Sequence, residues 1–188
     1  MFKSFLGEKI AVLVANGFSE QDLTHTQRAL QKFGANMRII SMDHGLVNSW
    51  NGAGWGLHFA ADKILSSALA ADFSILIVPG GRRSIEKLKL TAHTRRFLNG
   101  FIDAGKPVVL FDDAADLLAY AEKMSGRTIT GPAEMKAAAQ AAGAQWLEAP
   151  YAIDQNIMTG AVTPETLDEF VAAAVEFLVA CYPMNKAA

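Results

Sequence analysis

Short apolar runs alternate with amphipathic stretches along this chain. Lys9 to Ala15 (KIAVLVA), Met37 to Ser41, Phe73 to Val78 (FSILIV) and the run after Pro107 (VVLF) are short and mostly apolar. They are too short for helices, and they read as strands buried on both faces of a parallel sheet. Between them the apolar residues recur at helical spacing. Ser19-Glu20-Gln21-Asp22 has the spacing of a helix-opening capping box, with Asp the weaker choice at its last position. That helix runs through Leu23, Ala29, Leu30 and Phe33 and stops at Gly34. Further helices are predicted over Thr91 to Ala104 (closed by Gly105), Ala114 to Lys123 and Pro132 to Ala142, with a short one over Asp62 to Ala71. A last amphipathic helix starts at Thr163-Pro164-Glu165 and runs to about Cys181.

The stretch Leu46 to Phe59 breaks this rhythm. Gly45, Asn51-Gly52, Gly54 and Gly56 punctuate it, with Trp50 and Trp55 between them. It predicts two antiparallel strands turning at Asn51-Gly52, placed at the sheet edge. Arg127 to Ile129, Gln145 to Leu147 and Ile157 to Thr159 read as further short strands. Strands alternating with helices give an α/β fold, a three-layer sandwich with a mostly parallel central sheet and helices on both faces. The β-α-β opening implies a right-handed crossover. No repeat, low-complexity tract or linker divides residues 1–188, which read as a single domain.

One junction carries the candidate chemistry. The strand Val108-Val109-Leu110-Phe111 runs straight into Asp112-Asp113-Ala114-Ala115-Asp116-Leu117-Leu118-Ala119, with no Gly or Pro between. A strand that turns into a helix without a linker forces positive φ on its first turn residue, which Asp tolerates better than most. Such a turn lies where open α/β sheets hold ligands, at a strand's carboxyl end and a helix N-terminus. Two adjacent carboxylates occupy it, with a third at Asp116.

Composition narrows the possible partners. The chain is 51% hydrophobic and 19% charged, which suits a packed core rather than disorder. A net charge of −2 offers no basic field for nucleic acid or anionic lipid. The single cysteine excludes a disulfide framework and a Cys-rich metal site. No signal peptide is visible, and Glu176 interrupts the C-terminal apolar run too early for a membrane span. These features point to the cytoplasm. No metal or cofactor motif is present, and His25, His44, His58 and His93 match no ligand spacing.

Taken together, Ala15-Asn16-Gly17-Phe18-Ser19-Glu20-Gln21-Asp22, Val78-Pro79-Gly80-Gly81, Gly105-Lys106-Pro107 with its strand and elbow, Gly126-Arg127-Thr128 and Asp154-Gln155-Asn156 resemble the ThiJ/PfpI superfamily. The resemblance covers nearly the whole chain. It implies the flavodoxin-like, class I glutamine amidotransferase-like fold. In active members the elbow holds Cys followed by His, which fall on Asp112 and Asp113 here. A helix N-terminus and a nearby Glu make that cysteine a thiolate nucleophile; the Glu falls on Asp22. The backbone of Gly80 and Gly81 would line the oxyanion site. A family arginine near the last strand is replaced by Gly160 or Ala161. The framework is therefore retained without its nucleophile, a pattern similar to the C-terminal domain of large-subunit catalases, and an isolated relative of that domain with a stabilising role only is one reading the resemblance leaves open.

The resemblance thus implies a catalytically degenerate, dimeric protein with a small-molecule-binding, structural or stress-related regulatory role. The alternative is a carboxylate-dependent hydrolase or lyase, with Asp112 as nucleophile or base and Asp22 as its partner acid. Gly80, Gly81, Asp112, Asp113, Asp22 and His25, one helical turn beyond Asp22, are the expected ligand contacts. Each has a plainer reading. Asp112 and Asp113 would cap the following helix, where a carboxylate contributes about 0.3–1 kcal/mol. Asp22, Asp112 and Asp113 could alternatively hold a hard cation, though their spacing is no known metal motif. Trp50 and Trp55 would cover an apolar edge or a subunit contact. Arg82 and Arg83 could hold an anion or stand in solvent. Cys181 reads as a small buried hydrophobe.

Overall fold

The computed structural model describes residues 5–181. The strands are β1 (Lys9–Val14), β2 (Phe18–Ser19), β3 (Asn36–Ser41), β4 (Leu46–Trp50), β5 (Trp55–Ala60), β6 (Lys63–Ile64), β7 (Ile75–Val78), β8 (Val108–Phe111), β9 (Thr128–Ile129), β10 (Gln145–Trp146), β11 (Tyr151–Asp154) and β12 (Ile157–Gly160). The helices are α1 (Glu20–Gln31), α2 (Arg82–Leu88), α3 (Ala92–Asp103), α4 (Leu117–Tyr120), α5 (Lys136–Ala141) and α6 (Leu167–Cys181). The central sheet runs in the order β11-β12-β8-β7-β1-β3-β6 and is parallel except for β11.

The apolar runs do what their composition requires. Along β8, Val108 and Leu110 enter the core on one face of the sheet while Val109 and Phe111 enter the other. In β7, Leu76 and Val78 alternate with Ile75 and Ile77 in the same way. A strand apolar at every position needs cover on both sides, because successive side chains point to opposite faces. Leu30 of α1 and the apolar side of α6 cover one face. Residues of α2, α3, α4 and α5 cover the other, Ile85, Phe97, Leu117 and Ala139 among them.

Several elements depart from the sequence expectation. The hairpin forms, but β4 and β5 join β2 in a sheet of their own rather than adding to the edge of the central one. Glu20 fastens it to the start of α1, its Oε2 accepting from Ser49 Oγ at 2.5 Å and Leu57 N at 2.6 Å. The helix expected over Asp62 to Ala71 is absent. Asp62 accepts hydrogen bonds from Ile39 N and Arg38 Nη1, which holds the segment along β3 as β6; a single 3₁₀ turn follows at Ala70–Asp72. Helix α2 and edge strand β11 were not expected. The elbow helix begins as a 3₁₀ turn, Asp112–Asp116, before α4, and α6 begins at Leu167 after a turn closed by Thr163 and Thr166.

Gly160 shows how tightly α6 seats against the sheet. A Cβ there would stand 2.0 Å from the ring of Phe170, which packs edge-on to Phe111 at 4.7 Å between centroids. Gly160→Ala should therefore destabilise the protein by about 1–3 kcal/mol through overpacking. Urea denaturation measures it, and a variant as stable as the parent would show that Phe170 does not pack there.

Candidate functional site

The strand order creates the site. From β1 the chain crosses to β3 on one side and later returns to β7 on the other, so a crevice opens at the carboxyl ends of β1 and β7. Three segments arrive there: the start of α1 with Asp22, the Pro79-Gly80-Gly81 turn after β7, and the Asp112-Asp113 elbow after β8.

Asp112 has φ +48°, the left-handed conformation expected of a linkerless strand-to-helix turn. Gly81, at φ +114°, is required more strictly. A Cβ there would lie 2.6 Å from the Gly17 carbonyl oxygen and 2.9 Å from both Phe18 Cα and Ser19 N. All of those are backbone atoms, so nothing can swing aside. Ser19 caps α1 as the sequence predicts, its Oγ accepting from Asp22 N at 3.4 Å. The reciprocal half of the capping box is spent elsewhere. Ser19 N donates to the Gly80 carbonyl at 2.8 Å, while Asp22 Oδ2 accepts from Gly80 N at 2.9 Å.

The elbow carboxylates bind other segments rather than capping their own helix. Asp112 Oδ1 accepts from Val162 N at 2.5 Å, and Asp113 Oδ1 accepts from Gly81 N at 2.9 Å. The capping expectation is corrected accordingly, because the elbow starts as a 3₁₀ turn whose N-cap is Phe111, with no side-chain cap. Both Gly80 and Gly81 N–H groups are thus occupied by carboxylates of the chain itself.

Burial dominates the electrostatics. It lifts Asp22 to about 6, against the opposing hydrogen bonds from Gly80 and Ser19 and the nearby His25. Burial also lifts Asp112 to about 7; the Val162 N–H opposes this, and the neighbouring carboxylates of Asp22, Asp113 and Glu134 add to it. Asp113 is raised for the same first cause, moderated by the Gly81 N–H, its own N–H and Arg82. One or two backbone donors per carboxylate do not offset the loss of water.

Two clefts meet at Asp112. The larger, of about 700 Å³, lies between α2, the elbow and the Pro132–Met135 segment. The smaller, of about 220 Å³, lies toward the hairpin, with Trp50, Asp22 and Leu167 in its wall. Asp112, Gly81, Val162 and Thr163 line both. The fold brings Asp22, Gly80, Gly81, Asp112 and Asp113 together, while His25 stays near Asp22 but turns away from the clefts. Its Nδ1 pairs with Asp168 Oδ1 of α6 at 2.7 Å, and His25 lines neither cleft. Arg82 stands at the larger cleft, whereas Arg83 lies 4.0 Å over the Trp50 ring. Trp50 also meets Trp55 edge-on at 5.7 Å. Where the arginine is missing, Gly160 is buried against Phe170 and Ala161 lines the larger cleft. Sequence reading missed Glu86, Glu134 and Met135 in that cleft, since no local pattern ties them to the elbow. Among the described residues, no three His, Cys, Asp or Glu side chains are grouped to hold a metal ion.

The model of the DJ-1/PfpI family matches residues 8–177. The chain is 26% identical over 173 residues to protein/nucleic acid deglycase 2 of Escherichia coli, covering 92% of this chain and 99% of that one. It is 24% identical over 165 residues to general stress protein 18 of Bacillus subtilis, covering 88% and 94%. A two-domain protein of Anabaena variabilis, containing DJ-1/ThiJ/PfpI-like and ferritin-like domains, superposes with a TM-score of 0.83 at 22% identity. That match covers 96% of this chain and 52% of the other.

The raised acids fix a sign for the pH dependence of stability. Folded Asp112 keeps its proton up to about 7, whereas the unfolded chain loses it near the ordinary value of 3.8. Stability from this group is therefore full below about 3.8, falls as pH rises, and is gone above 7. Asn keeps an acceptor for Val162 N and tolerates the left-handed turn, so Asp112→Asn removes the charge alone. The variant should melt a few degrees higher at pH 8, on the order of 1 kcal/mol, with little change at pH 4.5. Melts at both values decide it, and a lower melting temperature at pH 8 would show that the carboxylate is stabilising.

Proposed function

The chain belongs to the DJ-1/PfpI family, and from that premise we propose that it is a degenerate member, a small-molecule-binding protein without thiol chemistry. One observation carries the reading. The Gly80 and Gly81 N–H groups, which would receive a developing oxyanion, are held at 2.9 Å by the carboxylates of Asp22 and Asp113. A further anion there would displace one carboxylate and meet the repulsion of the other. Asp112 stands where the resemblance places the nucleophilic cysteine. The one cysteine, Cys181, closes α6 and lines neither cleft, and burial raises its thiol, away from the thiolate a nucleophile requires.

The name of the B. subtilis relative favours a stress-related role for this protein. A carboxylate enzyme is the second reading, favoured by Asp112 at about 7, where a general acid or base is most effective at neutral pH. Iodoacetamide treatment and Cys181→Ser should leave every measured activity toward esters and glycated amines unchanged. A rate lost with either would overturn the degenerate reading. A rate lost in Asp112→Asn, with an apparent pKa near 7, would establish the second.

Dimerisation is part of the proposal. β5 is the outer strand of the small sheet, with Trp55 and Leu57 more than half exposed and no Lys, Asp, Glu or Pro along it. Open edges of that composition pair readily, and an antiparallel β5–β5 contact is self-complementary. Light scattering should give twice the chain mass, and Leu57→Lys should halve it. A monomer at high concentration would refute the dimer.

A further inference from the structure

From the two clefts and their lining we infer that the trough across Asp112 binds a small organic monocation with an apolar or aromatic end, an ammonium or guanidinium group lodging at Asp112. This deepens the proposed binding role and rests on it. The smaller lobe has room for the apolar end. At about 220 Å³ it exceeds the roughly 150 Å³ in which an apolar cavity holds benzene. Trp50, Pro164, Leu167 and Val162 form its apolar wall, and the Trp50 face already carries one cation, the Arg83 guanidinium.

The charged groups around the trough set the sign of the other end. From α2 come Glu86 and Arg82, from the elbow Asp113 and Asp116, from the Pro132 segment Glu134, and from α1 Asp22. Arg82 is the one cation in either lining. Lys89 is paired with Glu86 and Asp116, and His25 with Asp168. The Ala161–Thr163 segment contributes no titratable side chain. Asp112 then supplies the anchor. Its Oδ1 is occupied by Val162 N, whereas its Oδ2 accepts no hydrogen bond among the described residues, and the residue lines both lobes. A bound ammonium supplies the missing donors and opposes the repulsion from Asp22, Asp113 and Glu134. An anion meets the carboxylates of Asp112, Asp113 and Glu134, which Lys89 does not offset, and a neutral ligand brings no charge to balance them.

The test compares phenethylamine, 2-phenylethanol and 3-phenylpropanoate, which share one ring and differ in charge, by isothermal titration calorimetry. Phenethylamine should bind saturably, and the other two at least about tenfold more weakly. Because a proton competes with the cation for Asp112, affinity should rise tenfold or more from pH 5.5 to pH 8, over a range in which the amine stays charged. Asp112→Asn should abolish both the preference and the pH dependence. Glu134→Gln, on an exposed position, should weaken binding about threefold without touching the elbow. Equal affinity for the alcohol, tighter binding of the acid, or no saturation by phenethylamine up to about 10 mM would overturn the inference. Those results leave the absence of thiol chemistry intact, whereas turnover lost on Cys181→Ser would refute that reading alone.

Discussion

Two glycine peptides hold the functional end of this protein together. Gly80 and Gly81 leave β7 and pass between the start of α1 and the β8 elbow, giving one N–H to Asp22 and the other to Asp113. The Gly80 carbonyl returns to Ser19 N. Neither glycine admits a side chain freely. A Cβ on Gly80 would stand 3.2 Å from Asp112 Cβ, Asp113 Oδ1 and the Phe111 carbonyl, and one on Gly81 would strike the Gly17–Ser19 backbone. The close approach is what lets carboxylates from two segments reach adjacent amides.

The same contact explains the electrostatics. Each elbow acid is withdrawn from water and receives only one or two backbone donors where solvent would supply several. Desolvation therefore outweighs hydrogen bonding at Asp22, Asp112 and Asp113, and all three bind protons more tightly than free carboxylates. Such a site is costly to keep ionised and responsive to pH near neutrality. Thiolate chemistry needs the opposite arrangement, a field that stabilises negative charge on a sulfur at the elbow.

The small sheet frames the trough. Glu20 binds the hairpin through Ser49 and Leu57, and Gly56 makes room for its carboxylate, since a Cβ there would lie 1.9 Å from Oε2. That bond places Trp50 over the lesser cleft, where Arg83 packs on its ring. The aromatic wall and the acidic wall thus come from opposite sides of the same elbow.

The sequence by itself determined the layers and the elbow. Runs such as IAVLVA and VVLF are apolar at every position, so they demand cover on both faces, and Asp112 follows its strand with nothing to relax the turn. It also brought Asp22, Gly80, Gly81, Asp112 and Asp113 to one end of the sheet, because each follows a parallel strand. Which partner each group takes was decided by tertiary contacts. Asp62 gave its segment to β3 instead of a helix, and β2 drew the hairpin away from the central sheet. His25 turned to Asp168, 143 residues away, and the elbow acids chose Val162 and Gly81 over their own helix. Glu86 and Glu134 entered the cleft through the packing of α2 and the Pro132 segment. Local spacing encodes periodicity and turn chemistry, whereas a hydrogen bond between distant segments exists only once the layers have closed.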